Sequence, residues 1–237
     1  MKIVVMNYTG TVGKTTIASH LLLPRIDNAS IIAVESFNES AANIGIKVDQ
    51  IKGDKFKEIF RKILGMDAAI IDVGASNIEK FLNGLTQFNN SHEEIDLFVI
   101  PVTSGAKEQR ETISMITILK ESGIPENKIR IIFNRVESDA EDEFTILLNF
   151  LKKINMSINT NAVIYENELF NELAIKKISI RKLLNDPKDY RSLLRENREA
   201  EEKQREYWAD MYALRCLAKH VESNLDECFA ALFSSEA

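Results

Sequence analysis

Residues 2–23 constrain this chain more than any other stretch. A β-branched run at 2–6 enters a glycine-bearing loop that closes on Gly13, Lys14, Thr15 and Thr16, followed by an apolar run at 17–23. Strand, loop and helix in that order make a cradle for phosphate. Gly10 and Gly13 let the backbone turn N–H groups toward anionic oxygens, and the helix N-terminus adds the positive end of its dipole. Lys14 offers a mobile cation to the outer phosphates of a nucleoside triphosphate, and the Thr15 hydroxyl suits Mg²⁺. A tight strand-to-helix turn with an incidental glycine–lysine–threonine run is the simpler alternative. The candidate nucleotide-binding residues here are Thr9, Gly10, Thr11, Val12, Gly13, Lys14, Thr15 and Thr16.

Short β-branched runs alternate with helical patterns along the rest of the chain, which predicts βα units and a mostly parallel sheet flanked by helices. Strands are expected near 2–7, 30–35, 68–73, 97–102, 128–134 and 161–165, and helices near 14–23, 54–64, 76–88, 106–122, 140–154 and 166–175. Several runs are apolar on both faces, as central parallel strands covered by helices must be. Gly123 and Pro125 stop the helix at 106–122. From about Asp186 the character changes: Asp186 and Pro187 read as a cap and first-turn proline, and no glycine or proline follows. The chain thus divides into an ATPase-like domain at 1–185 and a C-terminal helical extension at 186–237. Tyr207, Met211, Leu214, Ala218, Val221, Leu225, Cys228 and Leu232 alternate spacings of four and three, a heptad seam. That seam packs either on its own domain or on a partner.

Two strand ends carry further chemistry. Asp72 closes the run at 68–73 and precedes Gly74; a carboxylate there reaches Mg²⁺, usually through water, from the carboxyl edge of the sheet. Thr15 and Asp72 are therefore the candidate metal residues, and Gly74 is a candidate backbone donor to the γ-phosphate. Asn134 and Arg135 end the fifth expected strand, and an amide reads adenine's donor–acceptor edge in both senses.

The loop at 9–16 resembles the deviant phosphate loop of the ParA/MinD ATPases. Thr9 stands where that family has its signature lysine, and Thr11 where it has a second glycine. Asp67 and Asp72 match the two aspartates of the family's second nucleotide motif, though the residues after Asp72 lack its proline. The Asn134–Arg135 pair also occurs there, with the asparagine on the base. Pro101 resembles the family's switch-adjacent strand end. Of the family's acidic box only Glu35 stands clearly, as a candidate for positioning metal or water; Phe37 replaces its second aspartate, and Glu39 and Asp49 are weaker substitutes. Residues 7–18, 20–25 and 34–38 suggest the plasmid-stability StbB-type branch. The resemblance covers about residues 1–185. It implies an ATP- and Mg²⁺-dependent switch, dimerisation around nucleotide, and DNA or a DNA-bound partition protein as partner. Lys14, Asp72 and Glu35 are then the catalytic candidates. Without the signature lysine, slow hydrolysis is expected, with Lys107 and Arg110 as possible replacements for it.

Composition narrows the field. The formal net charge of −6 gives no global field favouring nucleic acid or anionic membrane. Cys216 and Cys228 sit on one predicted helix, turned about 120° apart, which excludes a disulfide or metal pair between them. His20, His92 and His220 have no partner at metal-binding spacing. No apolar run reaches the ~18–20 residues of a membrane span, so a soluble cytoplasmic chain without stable membrane insertion is expected. The basic residues Lys176, Lys177, Arg181 and Lys182 form either a DNA-phosphate contact or an ordinary solvated face. Two other functional classes stay open: a pseudo-ATPase scaffold for a partition or conjugation complex, and a P-loop small-molecule ligase or kinase.

Overall fold

The computed structural model describes residues 1–35, 46 and 48–234. Seven strands form one parallel sheet: β1 (Lys2–Met6), β2 (Ser30–Val34), β3 (Val48–Ile51), β4 (Ala69–Val73), β5 (Leu97–Val102), β6 (Ile129–Val136) and β7 (Val163–Tyr165). Their spatial order is β3-β2-β4-β1-β5-β6-β7. β1 lies between β4 and β5, with Val5 in register with Asp72 and with Val99. Central strands feel no solvent on either face, so β4 and β5 are buried along their whole lengths. This is the predicted α/β architecture with one strand added to the sheet: β3 is short, and its Asp49 and Gln50 are exposed, so it carries no apolar run to announce it.

The period of two along each strand divides the core. Val4, Met6, Ile71, Val73 and Phe133 face one helical layer, with α2 (Phe56–Leu64), α3 (Ile78–Gln87), α4 (Ala106–Glu121) and α6 (Thr145–Lys153). Ile3, Val5, Ile70, Val99 and Ile132 face the other, where the segment after the phosphate loop packs with α7 (Leu169–Lys176), α8 (Ile180–Leu184) and α10 (Glu202–Phe233). The helix expected at 140–154 is broken into α5 (Ala140–Glu143) and α6, because Phe144 leaves helical geometry. Its ring lies edge-on to Phe133, 4.8 Å away, inside the core.

The helix expected at 14–23 is also altered. A single α-turn, α1 (Lys14–Thr16), passes into a π-helical segment Ile17–Leu22 and a 3₁₀ turn Leu23–Arg25. Pro24 lacks the N–H a continuing helix needs, and Arg25 folds back to donate to the carbonyls of His20 and Leu21 at 2.9 and 3.2 Å. The same guanidinium reaches Asp226 and Glu222 on α10, at 2.8 and 2.9 Å.

In the tail, α9 (Tyr190–Glu196) and α10 follow one another. The N-cap of α9 is Asp189, which accepts from Arg191 N and Ser192 N; Asp186 and Pro187 lie in the connection before it. Asp186 instead accepts the Tyr190 hydroxyl and the Lys188 N–H. Met211, Leu214, Ala218, Val221, Leu225, Cys228 and Leu232 are buried in the second core layer, so the seam packs on its own sheet, while Tyr207 is exposed. Asn224 aligns its side-chain amide with the outer edge of β7, donating to Val163 O and accepting from Tyr165 N. Cys216 is exposed, Cys228 buried, and both are free thiols. No helix among the described residues is long and apolar enough to cross a membrane.

Candidate functional site

The site forms at the carboxyl ends of β1, β2, β4 and β6, where loops leave a parallel sheet. Asn7, fully buried, starts it. Its amide donates to Pro101 O and Thr112 Oγ1, both at 2.8 Å, while its carbonyl accepts Thr9 N. Pro101 lies inside β5, as the strand expected at 97–102 implies. One polar residue thereby ties the start of the phosphate loop to β5 and α4. Asn7 carries no assigned role in the sequence reading; a polar residue closing an apolar strand was the available signal.

The loop ends on Gly13, at φ 83°, whose carbonyl accepts Ile17 N. Glycine is required there twice over. An L side chain is strained at that φ, and a Cβ would stand 2.5 Å from Asn134 Nδ2. The Asn134 amide, buried on β6, donates to Val12 O at 2.9 Å and so braces the loop from behind.

Lys14 is buried, its Nζ donating to Asn7 O at 3.0 Å and Thr9 O at 2.6 Å. Burial pulls its pKa down to about 8, against the opposing pull of Asp72, Glu35 and Glu111. Thr15 Oγ1 donates to Asp72 Oδ2 at 2.7 Å. Burial raises the pKa of Asp72, while the Thr15 hydroxyl and Lys14 favour its ionised form. Lys14, Thr15, Thr16, Gly10, Thr11 and Gly13 line one cavity of about 550 Å³ together with Glu35, Asp72, Gly74 and Arg135. The structure thus brings Lys14, Thr15, Asp72 and Glu35 together from three strand ends.

Other expectations are corrected. The Gly74 N–H donates to Val34 O at 3.0 Å, so it is spent on the strand edge and not directed at a phosphate. Asp49 lies on β3 and pairs with Lys62 at 2.6 Å, away from the cavity. Phe37 and Glu39 lie outside the described residues. Thr9 points at α4, its hydroxyl donating to Glu111, which also faces Lys107 at 3.7 Å. Lys107 is itself largely exposed on the first turn of α4.

A second cavity of about 150 Å³ adjoins the first, and Gly13, Thr16 and Arg135 line both. It is formed by Asn134, Tyr165, Glu166, Asn167, Phe170 and Asn171 around the β7–α7 connection. Of its lining residues, Gly13, Thr16, Asn134 and Arg135 are among those expected from the sequence, and those of the β7–α7 connection are not. The concentration of amides and aromatic rings at 165–171 was a signal that sequence reasoning passed over.

Sheet order, loop and the acid at the end of β4 together define the fold of a P-loop NTPase of the ParA/MinD type. No family model matches the chain, and no curated protein matches it in sequence. Among solved structures it is similar to an ATP complex of a single-residue variant of McdA from Cyanothece, with TM-score 0.53, 14% identity, and coverage of 100% of this chain and 97% of that one. It is also similar to a chain of the MinC:MinD cell division complex of Aquifex aeolicus (TM-score 0.56, 15% identity, 78% and 88% covered). A ParA family ATPase from Chlorobium tepidum matches with TM-score 0.52 and 17% identity over 79% and 92%. At these identities the likeness is one of fold.

Proposed function

We propose that this chain is an ATP-binding, slowly hydrolysing switch of the ParA type that serves plasmid stability or DNA positioning, close to the StbB-type proteins. The observation that carries the reading is the meeting of Lys14 and Thr15 with Asp72 across β1 and β4, beside a loop whose Gly13 admits no side chain. The residues fit magnesium and nucleotide. Thr15 and Asp72 present a hydroxyl and a carboxylate 2.7 Å apart that would hold Mg²⁺, and the ion would supply charge neutralisation at the phosphates. Lys14 would leave the loop carbonyls for phosphate oxygens. Glu35, on the same cavity wall, would orient water. The second cavity would take the base against Tyr165 and Phe170, with Asn167 and Asn171 as amide partners. Asn134 would act chiefly through the loop it braces. Such a site works by positioning and electrostatics, with little covalent chemistry left to the protein. The McdA neighbour's complex with ATP supports the choice of nucleotide.

A second reading, a pseudo-ATPase scaffold, is favoured by Thr9: it is neutral and bonded to Glu111, so it brings no cation to the phosphates. A nucleotide-dependent homodimer and DNA or a DNA-bound partition protein as partner belong to the first reading. Equilibrium binding of ATP, ADP and GTP with Mg²⁺, to wild type and Lys14→Ala, tests both, with sedimentation of the same samples. ATP binding that is lost in the variant and accompanied by assembly supports the switch. Binding without assembly or phosphate release supports the scaffold, and absence of any binding defeats the ATPase switch and leaves a P-loop-shaped scaffold.

A further inference from the structure

Arg135 is the described non-glycine residue that sits inside a strand with positive φ, at 58°. The register of β6 against β7 shifts there: Asn134 pairs with Ile164 and Val136 with Tyr165, leaving Arg135 as the bulged residue between them. The bulge resets the alternation of β6: Val136 joins Phe133 on the core face that residue 135 would otherwise take, Asn134 keeps its bond to the loop, and Arg135 is expelled. An arginine in the left-handed region is uncommon and unfavourable. Nothing in the packing of β6 calls for a cation there, since the side chain is half exposed.

Its surroundings say what the bulge accomplishes. Among the described residues lining the phosphate-side cavity, Lys14 and Arg135 are the cations, and Glu35 and Asp72 are the anions. Lys14 is buried behind the loop, while Arg135 stands at the wall shared by both cavities. Its ion partner is Glu166 on the β7–α7 connection, with Nε and Oε2 3.8 Å apart and both side chains about half exposed. A loose, solvated pair of this kind is easily separated.

We propose that Arg135 is a phosphate-reading arm: it leaves Glu166 and places its guanidinium on the phosphate chain of the nucleotide where the two cavities join. This inference rests on the nucleotide reading above and adds to it a residue that distinguishes phosphorylated from unphosphorylated ligand. Glu166 becomes its competitor, holding the arm aside until phosphate oxygens displace the carboxylate. A forked guanidinium suits that exchange, because it can give up one loose carboxylate contact for paired hydrogen bonds to phosphate oxygens.

The test measures affinity for adenosine, AMP, ADP and ATP with Mg²⁺ in wild type, Arg135→Gly, Arg135→Lys and Glu166→Gln. Glycine is the informative replacement. It removes the arm and also relieves the positive φ, so the variant should melt no lower than wild type. The expected result is an ATP affinity about 10- to 100-fold weaker in Arg135→Gly, with adenosine changed by less than about threefold. Arg135→Lys should recover part of the loss, and Glu166→Gln should bind ATP about two- to fivefold more tightly than wild type. Wild type that binds ATP, with Arg135→Gly unchanged or weakened equally for adenosine and ATP, overturns the arm and leaves the nucleotide reading standing. Wild type that binds none of the four ligands overturns both.

Discussion

The two faces of the sheet are held by different physics. Around α2 and α3 the contacts are apolar and aromatic: Phe56 packs against Phe60, Phe81 and Phe88 with ring centroids 5.3–6.0 Å apart. Gly84 is on α3 because a Cβ there would stand 2.2 Å from the Phe56 ring. The opposite face also buries apolar side chains, but named polar ties run across it. Arg25 joins the segment behind the phosphate loop to α10, Arg181 donates to Pro24 O, and Arg215 donates to Leu184 O and Lys188 O. One face is sealed by shape, while the other links the phosphate helix to the C-terminal helix by bonds of fixed direction. Changes on the first should cost stability; on the proposed reading of the site, changes on the second should also alter ATP affinity.

Four experiments can break or sharpen that contrast. The largest expected effect is on the apolar face. Phe81→Ala should lose about 3–5 kcal/mol in urea denaturation, while the remaining folded molecules bind ATP as wild type does. A matching loss of ATP affinity would end the division of labour. Next, Lys14→Ala should weaken ATP by about 100-fold or more, the worth of a charged hydrogen-bonding partner in a buried setting, as titration calorimetry would show. Arg25→Ala should cost about 1–3 kcal/mol and, unlike Phe81→Ala, should also lower ATP affinity in the folded protein. An unchanged affinity would reduce Arg25 to a structural brace.

The smallest effect concerns pH. The pKa of Lys14 is lowered from 10.5 to about 8, so between those values the unfolded chain holds more protons than the folded one. Stability from this group therefore rises with pH through that window. ATP affinity should fall over the same range, as the ammonium is lost. Opposed slopes in wild type, and neither slope in Lys14→Ala, are the expected signature; parallel slopes would assign the titration to another group.

Much of this was legible beforehand, for physical reasons that differ by element. The central strands announce themselves by apolar runs that only double-sided burial permits, and the phosphate loop by a residue order that few other structures need. Lys14, Thr15 and Asp72 were readable because each stands at a strand or helix boundary of known direction. β3 was not, since an edge strand with Asp49 and Gln50 outward has no apolar signature. The π-helical segment at Ile17–Leu22 depends on Arg25 folding back on His20 and Leu21, a contact that no periodicity encodes. Asn7 and Asn134 act through partners about a hundred residues away, and Arg135 through a bulge that requires β7 to exist. Such roles are visible only when the chain has closed.

The amide of Asn224, laid along β7, has a consequence for assembly. A parallel sheet ends in a row of backbone groups that another chain can read as a template. On the β7 side that template is already read by α10 of the same molecule. Among the described residues, the β3 side carries the Asp49–Lys62 pair, which meets an added strand with paired charge. The C-terminal helix thus acts as a terminator at β7: it occupies backbone groups that an added strand would need.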